Sequence, residues 1–323
     1  MGEWNIDDVD VDAYHERLGV ERVGGAPHFA MLARLHRAHV TAIPFENLEP
    51  FLGSAPSLAL ADIADKLVTR RRGGYCFEQN LLFAAVLERS GFRVDRLAAR
   101  VRMGRDIAAP GPRTHMALRV EVPDEDGSWL ADVGFGGMGP LGPVPMSGAP
   151  SEQGPWRFVA REEGDGGYAL ECRGPGADLE LYGFSLEPQH HSDYVVANHF
   201  TGTYPRSPFV TAPFVARIAE HERITWRGTT LSVRSERGIE ERTIAPADVD
   251  GLVRELGLAL TAADLRPIRA RLEGDRDEGT IERVRAAVVD AMVAAYDEAG
   301  MQGLCGEGRF ELAVDRARTV ELP

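Results

Sequence analysis

Residues 72–80 read Arg72-Gly-Gly-Tyr-Cys-Phe-Glu-Gln-Asn80 and set one cysteine, Cys76, where a glycine-rich turn enters a helix. The glycines permit a tight turn and close approach by another molecule. Beyond Cys76, Phe77, Leu81, Leu82, Ala84, Ala85 and Leu87 recur at helical spacing until Gly91 offers a stop. A thiol on the first turn lies in the field of the helix dipole and beside free amides, which favours thiolate character. A packing cysteine more often sits within such an apolar stripe than at its start.

Two further stretches supply partners. Thr114-His-Met-Ala-Leu-Arg-Val-Glu-Val122 alternates apolar and polar residues, Pro123 to Ser128 is turn chemistry, and Trp129 to Phe135 runs back as a second strand. A hairpin centred between Asp124 and Glu125 sets position 115 opposite 134. His115 and Asp132 then become diagonal neighbours on one face, and a slip of one residue would separate them. A carboxylate beside an imidazole fixes its tautomer, and an oriented base beside a thiol is the logic of a catalytic triad.

The RGGYCFEQN run, the later HMALRV and the ADVGFG of residues 131–136 together resemble the arylamine N-acetyltransferase family, as does Pro44-Phe-Glu-Asn-Leu48 upstream. Asn198 to Phe209 resembles that family's acceptor-pocket segment. The resemblance covers roughly residues 10–265. It implies a triad of Cys76, His115 and Asp132, an acceptor pocket lined by Phe45, Phe135 and Phe209, and a pairing of Glu46 with Arg72. It also implies an α+β fold with an N-terminal helical bundle, a central antiparallel β-barrel and a C-terminal α/β lid.

The residue pattern divides the chain in the same way. Residues 1–91 read helical, with candidate helices at Asp12–Leu18, Ala30–Ala42 and Leu60–Arg70 before the Cys76 helix. Residues 92–200 hold short alternating runs, Arg93–Val101, His115–Val122, Trp129–Phe135, Trp156–Ala160, Tyr168–Cys172 and Leu179–Phe184, which argue for a barrel or sandwich. Residues 201–270 mix the two, with Pro213–Glu222 expected helical, Ile224–Val233 strand-like around an Arg227-Gly228 turn, and Asp248–Leu256 helical. Residues 271–323 extend past the family pattern. Glu278–Ala299 reads as an amphipathic helix, Gly300 to Gly308 as a break holding Cys305, and Phe310–Val314 as a last strand. Packing over the lid or a subunit contact are the uses open to this tail.

Composition narrows the function. With 323 residues, 44% apolar and 7% aromatic, the chain can bury a sizeable core. No apolar run approaches bilayer length and the acidic start is neither a signal peptide nor an anchor, so no membrane association is expected. A net charge of −14 argues against nucleic acid as a partner. Cys76, Cys172 and Cys305 form neither a disulfide framework nor a metal site, His190-His191 lacks further ligands, and a free thiol suits the cytoplasm. Cys172 reads as packing. The glycines from 134 to 142 lack the lysine of a phosphate loop and read as a mobile loop beside the site. One lysine stands against 35 arginines. Among these, Arg93, Arg96, Arg100, Arg102, Arg105 and Arg113 form a basic run able to meet phosphates or to serve as a solvated face.

The expected activity is transfer of an acyl group, acetyl from acetyl-CoA above all, through a Cys76 acyl-enzyme to an aromatic amine. Acetyl-CoA would be a co-substrate, with no permanently bound cofactor. The nearest alternative is an amide synthase that releases or cyclises a polyketide from an acyl carrier protein. A papain-like or transglutaminase-like hydrolase and an idle binding protein are weaker alternatives, the first opposed by the GGYCF and DVGFG motifs and the second by the intact Cys, His and Asp.

Overall fold

Local capping starts the helical region. In this computed structural model, which describes residues 2–22, 24–104, 110–187, 189–301 and 306–319, the Asp10 carboxylate accepts the Asp12 and Ala13 amides at 3.0 Å. Helix α1 (Val11–Leu18) follows and closes at Gly19. Helix α2 spans Phe29–Ala42, and Leu60–Ala64 runs on into a π-helical turn over Asp65–Thr69. Helix α3 (Cys76–Arg89) is buried at every position from Cys76 to Leu87, as befits the central member of a bundle. These bounds lie within a few residues of those read from periodicity.

Buried histidines tie the bundle together. Tyr14 donates to His39 Nδ1 at 2.7 Å, and the far ring nitrogen, Nε2, meets Gln79 Oε1 at 2.7 Å. Gln79 in turn donates to the Pro44 and Gly74 carbonyls, each at 3.1 Å. The arrangement requires a neutral imidazole with its proton on Nε2.

The residues from 92 to 185 form an eight-stranded antiparallel sheet that is nearly closed into a barrel. Its strands, after the two-residue β1 (Phe45–Glu46), are β2 (Arg93–Val101), β3 (His115–Glu121), β4 (Ser128–Ala131), β5 (Val144–Pro145), β6 (Ser151–Gln153), β7 (Trp156–Glu162), β8 (Gly167–Gly174) and β9 (Ala177–Ser185). Their order is β5-β4-β3-β2-β9-β8-β7-β6. Leu118 pairs with Ala131 and Glu121 with Ser128, so the hairpin is centred between Asp124 and Glu125 as the turn chemistry predicts. Strand β4 ends at Ala131, short of the expected Phe135, because the Asp132 side chain takes the Gly134 amide at 2.9 Å and bends the chain. Trp156, Phe158, Leu170, Cys172 and Leu181 fill the interior, which makes Cys172 a packing residue.

A second sheet has the order β1-β10-β11-β12-β13, with β10 at Phe214–Ile218, β11 at Glu222–Arg227, β12 at Thr230–Ser235 and β13 at Gly238–Thr243. The helix expected over Pro213–Glu222 is therefore a strand and a turn. Val215, Ala216 and Ile218 are buried there, and antiparallel partners on both sides override local preference. The hairpin about Arg227-Gly228 forms as expected. Arg223 of β11 is 1% exposed, lies over the Trp156 ring at 4.2 Å and donates to the Gly139 carbonyl.

Helix α4 spans His191–Thr203 and α5 Val249–Glu255. The chain divides into two compact units, Met1–Leu265 and Arg266–Pro323. Helix α6 runs from Ala262 to Met301, and α7 (Gly306–Thr319) replaces the strand expected at Phe310–Val314. Arg309, Glu311, Leu312, Ala313, Arg316 and Ala317 are good helix formers, which outweighs the short apolar alternation. Cys305 and Arg105 lie outside the described residues. Among the described residues no helix is long and apolar enough to cross a membrane.

The buried histidines make a pH prediction. Burial holds His39 down to about 3 and His36 down to about 4, against an ordinary 6.5. Acid therefore charges these rings first in the unfolded chain, so their contribution is complete above pH 6.5 and is lost as pH falls toward 4 and then 3. The His39→Gln variant should lose less melting temperature than wild type over that interval. Circular dichroism melts at stepped pH would check it; parallel curves would refute the assignment.

Candidate active site

Cys76 is the first residue of α3, and Gly134, just past β4, packs directly on it. A Cβ at Gly134 would stand 2.8 Å from the Cys76 Cα and 2.9 Å from its carbonyl oxygen. The missing side chain thus sets the distance between bundle and barrel. The Cys76 thiol points at the Thr114 carbonyl, 3.6 Å away. One helical turn on, the Asn80 side chain donates to the Met116 carbonyl at 2.6 Å and to Asp132 Oδ1 at 3.0 Å, while its oxygen accepts the Val133 amide at 3.1 Å. The residues on either side of His115 are therefore both held by α3.

His115 and Asp132 meet as the hairpin register requires. Nε2 of His115 stands 2.7 Å from Asp132 Oδ2, with both side chains buried. Since the carboxylate accepts at Nε2, the neutral ring keeps its lone pair on Nδ1. The imidazole ring has Tyr182 at 4.8 Å and Phe135 at 5.1 Å between ring centres.

Asp132 is 1% exposed. Burial alone would push its carboxyl up, but the charge of His115 whenever its ring is protonated, and hydrogen bonds from His115, Asn80 and Gly134, outweigh that and hold it below the usual carboxylate range. Its own amide donates to His36 Nε2 at 3.1 Å. The Cys76 thiol behaves otherwise. Burial pushes it well up and the Asp132 charge adds to this, against backbone amides at Met116 and Phe77. Burial thus works against the thiolate character that position on the helix favours. Desolvation exceeds what one helix end returns.

Aromatic rings gather about Tyr75, the residue before Cys76. Phe45 lies 5.9 Å from Phe209 and 5.1 Å from Phe214, and Tyr75 lies 6.0 Å from Phe209. Tyr75 donates its hydroxyl hydrogen to Asn198, which draws α4 onto the turn. Asn47 donates to the Phe209 and Ala212 carbonyls at 2.9 and 2.8 Å and accepts the Phe214 amide at 2.6 Å. Phe135 stands apart from this group, against His115. Glu46 and Arg72 form the pair the resemblance implies, at 2.6 Å and buried.

Several site residues escaped the sequence reading. Asn80 carried a signal, since it lies four residues beyond Cys76 and so on the same helix face. His36 and Tyr182 carried none, because their partners are remote in the chain. The basic run is largely neutralised at home: Arg93 pairs with Glu121, Arg96 with Glu88, Arg102 with Glu163 and Glu180, and Arg113 with Glu187. His190 and His191 sit at the start of α4 beside Glu3. Among the described residues no cluster of three ligating side chains is placed to hold a metal.

The family model described as N-acetyltransferase matches residues 28–265. An arylamine N-acetyltransferase from Mycolicibacterium smegmatis is 37% identical over 271 residues, 82% of this chain and 97% of that protein. The chain belongs to the arylamine N-acetyltransferase family. The crystal structure of the Nocardia farcinica arylamine N-acetyltransferase is 40% identical and superposes with a TM-score of 0.76, covering 83% of this chain and 95% of its own. That of the Mycobacterium marinum arylamine N-acetyltransferase in complex with CoA is 36% identical, with a TM-score of 0.75 over 81% and 98% of the two chains. The protein is accordingly an acetyltransferase, and residues 266–323 lie beyond the stretch that the family model matches.

Replacing Gly134 by alanine tests the contact between bundle and barrel. The collision is with backbone, which cannot swing aside, so Gly134→Ala should cost about 1–3 kcal/mol of stability and most of the activity. Thermal melts and an acetyl-transfer assay would measure both. Wild-type values in both would mean that the approach at Cys76 is not tight.

Proposed function

We propose that this member of the family carries an acetyl group from acetyl-CoA to an aromatic amine through a thioester on Cys76, in two half-reactions. The observation that carries the reading is the buried His115–Asp132 pair at 2.7 Å, with the buried Cys76 thiol directed at the carbonyl of Thr114, the residue just before His115. Such a thiol needs a base, and Nδ1 of His115 is the nitrogen left to act as one. The sulfur attacks the thioester carbonyl as its proton passes to Nδ1. Amides of the first turn of α3 stabilise the resulting oxyanion. The bond to the CoA sulfur then breaks, and the CoA thiolate leaves with the proton from the imidazolium. In the second half the amine nitrogen attacks the acetyl-cysteine, gives its proton to His115, and the Cys76 thiol is restored.

Asp132 keeps the ring oriented and stabilises the imidazolium in both halves. Phe45 and Phe209, with Phe135 against His115, would line the acceptor side, and their flat apolar faces suit an aryl ring. Residues 1–91 would supply the nucleophile, 92–200 its base and acid, and 201–270 the lid, with no role assigned to 271–323. The CoA complex of the Mycobacterium marinum relative supports CoA as the donor's carrier. Ion pairing within the chain leaves Arg93, Arg96, Arg102 and Arg113 little free charge to offer a carrier protein. A mechanism built on a free thiol supports the cytoplasm as its compartment.

Intact mass spectrometry after incubation with acetyl-CoA alone should show one added acetyl group, mapped to Cys76 and absent in Cys76→Ser. Adding a simple arylamine should discharge it. In competition with a long acyl thioester, acetyl labelling should dominate; exclusive long-chain labelling would make the protein an amide synthase instead.

Asp132→Asn should fold yet acylate Cys76 on the order of 10²-fold more slowly, by analogy with other triads. Acylation at the wild-type rate would reduce Asp132 to a structural residue.

A further inference from the structure

Lys66 is the sole lysine among 323 residues. It sits in the π-helical turn at Asp65–Thr69 and is 4% exposed. Its ammonium meets Glu78 Oε1 at 2.8 Å and Glu49 Oε1 at 2.9 Å, and its carbonyl accepts the Arg72 amide at 3.0 Å. The other Glu78 oxygen accepts the Tyr75 amide at 3.1 Å. Glu78 also presses on the turn itself, since a Cβ at Gly74 would stand 3.0 Å from its Oε2. Side chain and main chain of Lys66 thus grip both ends of the Arg72–Glu78 segment, with Cys76 inside it.

We propose that Lys66 is a positioning residue for Cys76. Its ammonium fixes the Glu78 carboxylate, the carboxylate fixes the Tyr75 amide and Gly74, and these fix where the chain enters α3 and hence where the sulfur stands. The choice of cation follows from geometry. A compact ammonium fits between two carboxylates at under 3 Å each, whereas a guanidinium is a planar fork of larger span. In a chain that supplies every other strong cation as arginine, this is the one place where the fork is not used. Burial pushes the Glu78 carboxyl up to about 7, opposed by Lys66 and reinforced by Glu49 and Glu46. Without the ammonium the Glu78 carboxylate would face those two like charges, with Arg72 already engaged by Glu46.

The proposal rests on Cys76 being the reactive thiol, and the test separates the two ideas. Wild type, Lys66→Arg, Lys66→Met and Lys66→Met/Glu78→Gln are compared in iodoacetamide alkylation of Cys76, followed by peptide mass, and in kcat and KM with acetyl-CoA and an arylamine. Lys66→Met and Lys66→Arg should both slow alkylation and lower kcat by roughly ten-fold or more with KM little changed, the mark of a misplaced nucleophile. The double variant removes both charges and keeps a side-chain acceptor for Tyr75, so it carries the test if Lys66→Met does not fold. It should melt near wild type and still alkylate slowly. Wild-type alkylation and turnover in Lys66→Arg or in the double variant would overturn the proposal. Slower alkylation of the variants when even wild type transfers no acetyl group would sink the function and leave the positioning intact. A chain carrying isotope-labelled lysine also gives a single ammonium resonance by NMR. That resonance should shift when Cys76 is alkylated, and an unmoved one would count against the coupling.

Discussion

A carboxylate taken almost wholly out of water must find its hydrogen bonds inside the protein, and the Asp132 carboxylate finds three, from His115, Asn80 and the Gly134 amide. The donors come from β3, from the helix that begins at Cys76 and from the bend after β4. Satisfying one anion thus brings three elements into a single register. A slip of the hairpin by one residue would strand the charge, so the cost of desolvation polices the geometry on which the proposed chemistry depends.

The same burial decides how the thiol works. A helix terminus beside an exposed sulfur would lower its pKa, whereas here the absence of water and the nearby anion raise it. In the proposed mechanism the proton stays on sulfur until the His115 base takes it, and charge separation is confined to sulfur and imidazole. The acetyl-thioester intermediate would form in surroundings poor in water, which disfavours hydrolysis relative to transfer to an amine.

What the sequence revealed follows the range of the interactions concerned. Cys76, His115 and Asp132 were legible because each sits in a local pattern: a glycine turn entering a helix, an alternating strand, and a hairpin whose centre the turn residues mark. The register of Leu118 on Ala131 follows from that turn alone. Strand β10 was illegible because Val215 and Ile218 read equally well on a helix, and only pairing with β1 and β11 makes them strand residues. His36 beneath Asp132 and Tyr182 beside His115 join residues far apart in the chain, which no window reaches. The partners of the arginines were hidden in the same way: the run is local, but Glu163, Glu180 and Glu187, which pair with Arg102 and Arg113, lie well downstream.

Strand β1 is only two residues long, yet it forms the edge of a sheet whose other strands begin at residue 214, with Phe45 opposite Ala216. During synthesis Cys76, His115 and Asp132 therefore all leave the ribosome before the segment that Phe45 pairs with. For that interval the nascent chain lacks the strand that pairs with β1, and closing the long loop between residues 45 and 216 is a late, entropically slow event. The order of translation would thus keep the proposed aryl-binding side unfinished until the proposed catalytic residues are in place.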